Sequence, residues 1–366
     1  MSESPPISGT VDPRLTAVRE VFAENFAERD EVGAAVSVSV HGRVVVDLWS
    51  GYADGDQRRQ WQPDTLVNGF SVGKGFIALL VAQVVADGPL DLDAAVATIW
   101  SDFAQAGKAS ITVRQLLTHQ AGLPAVRHRL PPGAMFDWVA MTDALAAEEP
   151  WWQPASAHGY HVNTYGFLVG EVLRRVTGRS PGDLLRGRIA GPLGADIHLG
   201  LPATDDHRVA DFLWPEDPPP EAEPERDDGQ PIEPIELMRY NAYFNPSGLS
   251  GAGVVNSRAW RAAEIPSTNT HASARGVARV YTPRWPPAAP STASPSSIRL
   301  PWLRRPPSRS TDPTWCSIAP AGSASASNSP RSTALSGRTT AGSDTSARAA
   351  RWASPIPIQA WPSATS

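Results

Sequence analysis

Phe70-Ser71-Val72-Gly73-Lys74-Gly75-Phe76 opens a strongly apolar run that continues to residue 85. The run is apolar nearly all round, which predicts a helix buried at the centre of the fold rather than one laid on its surface. Asp87-Gly88-Pro89 ends it. On such a helix Ser71 stands at the N-terminus and Lys74 one turn on, on the same face. A serine is a weak nucleophile until a neighbouring base takes its proton, and a lysine so placed can reach the hydroxyl. The chain has only two lysines, Lys74 and Lys108. A serine three residues before one of two lysines arises by chance in roughly one chain in five, so the tetrad alone does not assign a function.

Working outward, residues 34–40 and 44–49 are β-rich runs joined at His41-Gly42-Arg43, the pattern of a hairpin. Residues 11–29 carry helical periodicity, and residues 65–69 lead into Ser71. Downstream, 113–118, 134–147 and 165–177 read as helices. Residues 215–234 are acidic and proline-rich, which predicts a mobile surface loop.

At 366 residues the chain has room for one large domain or two ordinary ones. A net charge of −5 gives no basic surface for nucleic acid. The one cysteine, Cys316, permits no intrachain disulfide and fits a reducing compartment. The opening MSESPPISGTVDPR has neither a basic n-region nor an apolar core, and no run approaches a membrane span. The expected location is therefore cytoplasmic, with no membrane partner. Histidines are scattered, without HExxH or a Cys/His cluster, so no metal and no other cofactor is expected.

From Thr282 the composition changes. Residues 282–366 are built from Ser, Pro, Ala, Arg and Thr, with no Lys, Glu, Phe, Tyr or Met and only Asp312 and Asp344 as acids. One reading is a disordered tail. The sharper one is a frameshift. Residues 344–365, written in permitted codons and read from the third nucleotide, give HFGAGGSLGFADPDSGVAFGY. The same offset just after Tyr281 permits ALAAGGTVDGV. Both strings have the texture of a globular protein.

Several segments together resemble the serine β-lactamase-like hydrolases, especially the family VIII carboxylesterases and their class C β-lactamase relatives. The resemblance covers about residues 13–281. It rests on FSVGKGF at 70–76, LLTHQAGLP at 116–124, YHVNTYGFLVGEVLRRVTGRS at 160–180 and IAGPLGADIHLGLP at 189–202. AWRAAEIPSTNTHASARGVARVY at 259–281 extends it. The hidden-frame HFGAGGS resembles the family's third motif, a strand that replaces Lys-Thr-Gly. The resemblance implies Ser71 as the acylated nucleophile and Lys74 as its partner. In class C enzymes a catalytic tyrosine opens Tyr-x-Asn, with a glycine six residues on. Tyr160 and Gly166 keep that spacing and Tyr165 does not. The motif's asparagine position is Val162, which cannot hydrogen-bond the acylamino group of a β-lactam; Asn163 falls one residue late. His119 resembles a structural position of the family.

The implied fold is α+β (or α/β), β-lactamase/transpeptidase-like, an antiparallel sheet with a helical region inserted between early and late strands. Residues 1–281 are expected to form the hydrolase domain, incomplete, and 282–366 an out-of-frame tail in place of the late strands and closing helix. A chain so damaged is expected to be insoluble or inactive. The implied activity is a cofactor-free carboxylesterase acting on a small-molecule ester, with Lys74 and Tyr160 as the base and acid pair. The alternatives are β-lactamase or D-alanyl-D-alanine peptidase-like chemistry, or a catalytically dead member of the fold.

Plainer readings stand beside these. Ser71 suits a helix N-cap, Lys74 a lysine snorkelling from a core helix, and Tyr160 a packed aromatic. Trp151 and Trp152 suit either an acyl pocket or simple packing. Gly69-Phe70-Ser71-Val72-Gly73 also spells G-x-S-x-G, the nucleophile elbow of α/β-hydrolases. That fold needs a parallel βαβ rhythm and a later Asp and His in order, which the text after Ser71 does not offer.

Overall fold

The computed structural model describes residues 5–214 and 232–282. Most of the expected loop at 215–234, and the tail beyond Thr282, lie outside the described residues.

The chain opens with β1 (Ser8–Val11), α1 (Thr16–Glu28), β2 (Gly33–Val40) and β3 (Arg43–Gly51). The strands form an antiparallel sheet in the order β1-β3-β2. The predicted hairpin is present. Its turn residues His41 and Gly42 have φ of 49° and 78°, the two positive values that a type I′ turn requires. Along β3 every second residue, Val46, Leu48 and Ser50, is buried, as the two-residue period of a strand demands. Val46 and Leu48 meet Phe22 of α1, with Val18 and Phe26 beside them. The helix expected over 11–29 is shorter than its periodicity suggests. Residues 8–11 pair with β3, Asp12 accepts from the Arg14 amide, and Pro13 opens a tight turn before Thr16.

β4 (Val67–Asn68) leads into α2 (Val72–Ala86), which ends at Asp87 with Gly88 at φ 97°, as the sequence predicts. Phe76, Ile77, Leu80, Val81 and Val84 bury the helix on several sides. α5 (Thr164–Thr177) and α6 (Pro181–Leu185) pack on it, and α3 (Val113–Leu117) and α4 (Trp138–Ala147) pack in turn on α5. One helix expected over 134–147 is in fact two pieces. Asp137 accepts hydrogen bonds from the Val139 and Ala140 amides and so caps α4 afresh, leaving Ala134–Phe136 as a separate 3-10 turn.

The rest comprises the one-turn α7 (Gly191–Leu193), β5 (Ile197–His198), α8 (Pro234–Phe244), α9 (Arg258–Ala262), β6 (His271–Ala272) and α10 (Ala274–Tyr281). Pro234, placed by sequence at the end of a loop, is the first residue of α8, where its missing N–H costs nothing. β4, β6 and β5 form a second antiparallel sheet in that order. α10 packs on β2, and its Tyr281 ring stacks on Phe76 of α2 with centroids 6.1 Å apart. Every strand ladder among the described residues is antiparallel, which agrees with the α+β expectation and removes the α/β-hydrolase alternative.

Candidate active site

Ser71 sits on the turn between β4 and α2, exposed, with Lys74 buried behind it. Its side chain caps no helix amide, so the N-cap reading does not describe it. The preceding Phe70 has φ of 43°, a left-handed conformation that a bulky residue adopts only when its surroundings impose it. The surroundings are identifiable. The Gly69 amide donates to Thr270 O at 2.7 Å, and the Phe70 ring packs edge-on against Phe212, whose N–H and C=O are both held by the Asn256 side chain.

Three side chains predicted from sequence converge. Lys74 Nζ lies 3.1 Å from Ser71 Oγ, and the Tyr160 hydroxyl donates to Ser71 Oγ at 2.9 Å. Lys74 Nζ also stands 4.9 Å from the centre of the Tyr160 ring. Its remaining contacts are backbone carbonyls, Val162 O at 2.6 Å and Ser267 O at 3.2 Å. No carboxylate balances its charge at these contacts, and burial alone pushes the amine down to about 7. Lys108 takes no part: it is fully buried against Phe103 and bonded to Gln105 O and Glu148 O.

Tyr160 belongs to a tight segment, residues 159–163, that precedes α5. Val162 turns its carbonyl to Lys74 and its side chain into an apolar cluster with Ala125, Met238 and Ala242. Trp151 and Trp152 pack against that cluster, and Trp151 donates to Ala125 O at 2.8 Å. Asn163 points elsewhere, as its position in sequence suggests: its amide donates to Ala242 O at 2.7 Å and Ser250 Oγ at 2.9 Å. His119 is a bonded histidine, its Nδ1 accepting from the His161 amide at 3.1 Å. Tyr165, which lacks the expected spacing, lies against the far side of His119, and burial pushes its phenol up to about 12.

Sequence reasoning included residues 266–271 in the resemblance at 259–281 but gave them no role at the site. Ser267, Thr268, Asn269 and Thr270 are all buried. Ser267 supplies a carbonyl to Lys74, and its hydroxyl accepts from the Gly166 amide at 2.7 Å. That amide is one of the unpaired donors at the start of α5, so Ser267 caps the helix from another part of the chain. A backbone carbonyl can come from any residue, so no side-chain motif could have announced the first role. Among the described residues, no group of three or more His, Cys, Asp or Glu is placed to hold a metal ion, and no helix is long and apolar enough to cross a membrane.

The arrangement is a serine with an amine and a phenol on its oxygen, at the start of a buried helix. The profile of the beta-lactamase family matches residues 18–320. The chain belongs to the beta-lactamase family. Its fold is accordingly the β-lactamase/transpeptidase-like fold that the sequence implied. Esterase/beta-lactamase LipL of Mycobacterium tuberculosis (strain ATCC 25618 / H37Rv) is 34% identical over 285 residues. The match covers 75% of this chain and 63% of LipL, so the chain spans less than two thirds of that relative's length. Among solved structures, a penicillin-binding protein homolog from Caulobacter crescentus is 44% identical with a TM-score of 0.66. A family VIII carboxylesterase is 41% identical with a TM-score of 0.67. Each match covers 75% of this chain and 70% of the other.

Proposed function

We propose that this chain is a carboxylesterase of the beta-lactamase family, cleaving short acyl esters through an acyl-Ser71 intermediate. The observation that carries this reading is the set of partners around Lys74 Nζ. A neutral amine has two N–H donors and one lone pair. Val162 O and Ser267 O, acceptors only, take the two donors. The lone pair is left for Ser71 Oγ, 3.1 Å away. Burial favours this neutral form near neutral pH. Ser71 can therefore give its hydroxyl proton to Lys74 while accepting one from Tyr160.

The reaction follows. Ser71 Oγ attacks the ester carbonyl carbon as its proton moves to Lys74 Nζ. The carbonyl oxygen becomes an oxyanion, held by the Ser71 N–H and by an N–H of the late strand that the hidden-frame HFGAGGS would restore. The tetrahedral adduct collapses and the bond to the alcohol oxygen breaks. The departing oxygen takes the Tyr160 proton, and Tyr160 recovers one from the Lys74 ammonium. Water repeats the sequence on the acyl-enzyme and releases the acid. No metal or other cofactor enters any step. The substrate is a small-molecule ester, and nothing in the cycle calls on nucleic acid or a membrane.

The activity is assigned to the domain of residues 1–281, completed by late strands that residues 282–366 encode out of frame. The esterase/beta-lactamase LipL and the family VIII carboxylesterase support an ester substrate. The test uses a frame-restored protein, shifted just after Tyr281, beside the 366-residue chain. The restored protein is expected to hydrolyse p-nitrophenyl acetate or butyrate, and Ser71→Ala to abolish this. A fluorophosphonate adduct should map to Ser71 by mass spectrometry. Labelling of another serine with full activity in Ser71→Ala would remove the assignment. Turnover of β-lactams or D-alanyl-D-alanine peptides in place of esters would keep the nucleophile and replace the substrate.

A further inference from the structure

We propose that His119 and His161 are positioning residues that clamp the segment carrying Tyr160 and so aim its hydroxyl at Ser71. The inference rests on the reading of Tyr160 as an acid–base group. His119 brackets Tyr160 on both sides. Its carbonyl accepts from the Gly159 amide at 3.1 Å, and its ring Nδ1 accepts from the His161 amide at 3.1 Å. These are the residues immediately before and after Tyr160. The His119 ring lies 5.0 Å from the Tyr160 ring and 4.9 Å from the Tyr165 ring, so it also walls the phenol on one face.

His161 closes the clamp from beneath. It is fully buried. Nε2 accepts from the Leu123 amide at 2.9 Å, and Nδ1 lies 2.6 Å from Gly159 O. An amide can only donate and a carbonyl can only accept, so the tautomer is fixed: His161 carries its proton on Nδ1 and gives it to Gly159. The same logic leaves His119 Nδ1 bare and puts its one proton on Nε2. The segment from Gly159 to His161 is thus tied to the 119–123 stretch by its two amides, both donating to His119, and by the His161 ring, which accepts from Leu123; the Gly159 carbonyl is held by the same ring and fixes the turn around Tyr160. His119 itself holds φ of 59°, a left-handed conformation uncommon outside glycine, though histidine is among the side chains that accept it. Strain of that kind persists where the surroundings over-determine it.

Protonating either ring would oppose a donor to a donor. Burial pushes His119 down to about 4, helped by the charges of Lys74 and His158, and pushes His161 down to about 3. Both are therefore neutral under ordinary conditions. A displacement of the phenol by about 1 Å is enough to cost on the order of 100-fold in rate, so the clamp acts on kcat rather than on substrate binding.

The test follows fluorophosphonate labelling of Ser71 and ester turnover in the 366-residue chain and its frame-restored counterpart. His119→Asn keeps an acceptor near Nδ1 and tolerates the positive φ. It should label within about threefold of the parent, whereas His119→Leu and His161→Phe should slow labelling by roughly 10- to 100-fold. The loss should fall on kcat with KM little changed. Equal rates in parent and His119→Leu would overturn the clamp, as would equal losses in His119→Asn and His119→Leu that track their melting temperatures. Independently of activity, long-range ¹⁵N NMR of the histidine rings at pH 7 should show His161 protonated at Nδ1 only and His119 at Nε2 only. An imidazolium or the opposite tautomer at either site would also overturn it. Tyr160→Phe separates the two ideas. If that variant labels at the parent rate, the reading of Tyr160 fails; if it slows and the histidine variants do not, the clamp alone fails.

Discussion

Lys74 is buried against two carbonyls and a hydroxyl, with only desolvation acting on its charge. The sign of the resulting pH dependence is fixed. A lysine whose value falls to about 7 is a protonated, lone-pair-free ammonium below that pH and a free amine above it. Ester kcat/KM of the frame-restored protein is therefore expected to fall about tenfold per pH unit below 7 and to level off above it. A rate independent of pH between 5 and 8 would contradict a lysine base. Lys74→Arg keeps a cation that cannot deprotonate, and should cost on the order of 10³ in kcat. Val162 and Asn163 set a second expectation. One side chain is apolar and the other is already bonded to Ala242 and Ser250, so neither offers an amide to the side chain of a β-lactam. An apolar site that offers no partner to a polar substrate group discriminates against it by on the order of 10², so esters are expected to be favoured over β-lactams by about that factor. Comparable kcat/KM values for nitrocefin and a butyrate ester would contradict this.

α2 and α5 deliver the site by letting a third segment approach them at two glycines. A Cβ on Gly73 would stand 2.4 Å from Pro266 O, and one on Gly166 would stand 2.5 Å from the Ser267 amide nitrogen. Gly166 within a helix costs about 1 kcal/mol against alanine in propensity, so its presence answers to this contact. Gly166→Ala should push residues 266–267 away and loosen the Ser267 carbonyl on Lys74. The expected loss is about 1–3 kcal/mol of stability, with a fall in kcat, read by denaturant titration and ester turnover. An unchanged melting curve would show that the segment yields freely. The same elements mark what sequence could reveal. α2, the β2–β3 hairpin and α5 were legible because each carries a sustained period or a turn signal. β4, β5 and β6 have two residues each, too few for any period, and of the four residues of β1 only Val11 fell within the helical pattern while Ser8–Thr10 drew no reading. Ser71 and Lys74 were legible together because residues three apart at the start of one helix are neighbours. Tyr160 is 89 residues from Ser71 and could be found only through its spacing to Gly166 within the family resemblance. His161 and Ser267 escaped notice because they act through ring tautomer and backbone, which no residue spacing encodes.

In the first sheet of the described residues β3 is flanked by β1 and β2, and α10, the last described helix, lies on β2 and reaches α2 through Tyr281. The chain has by then assembled a serine hydroxyl, a buried amine and a phenol. In the proposed mechanism one oxyanion donor comes from sequence beyond Tyr281. As written, that sequence contains Pro283, Pro286 and Pro287 within its first residues, and prolines recur to Pro362. Each proline removes a ladder donor, so the proposal is that this proline-rich text does not replace the family's late strands. Written in permitted codons and read with the proposed offset, the same residues give HFGAGGS, the string that the proposal places on a late strand. Loss of a single oxyanion donor costs about 10² to 10³ in kcat, and here neighbouring strands go with it. The 366-residue chain is therefore expected to hydrolyse p-nitrophenyl butyrate at least about 100-fold more slowly than the frame-restored protein, or to be insoluble, although both carry Ser71, Lys74 and Tyr160. Expressing the two side by side, after re-sequencing the coding DNA around Tyr281, decides the matter. A soluble 366-residue chain with esterase activity equal to that of the restored protein would show that residues 282–366 are not an accident of reading frame.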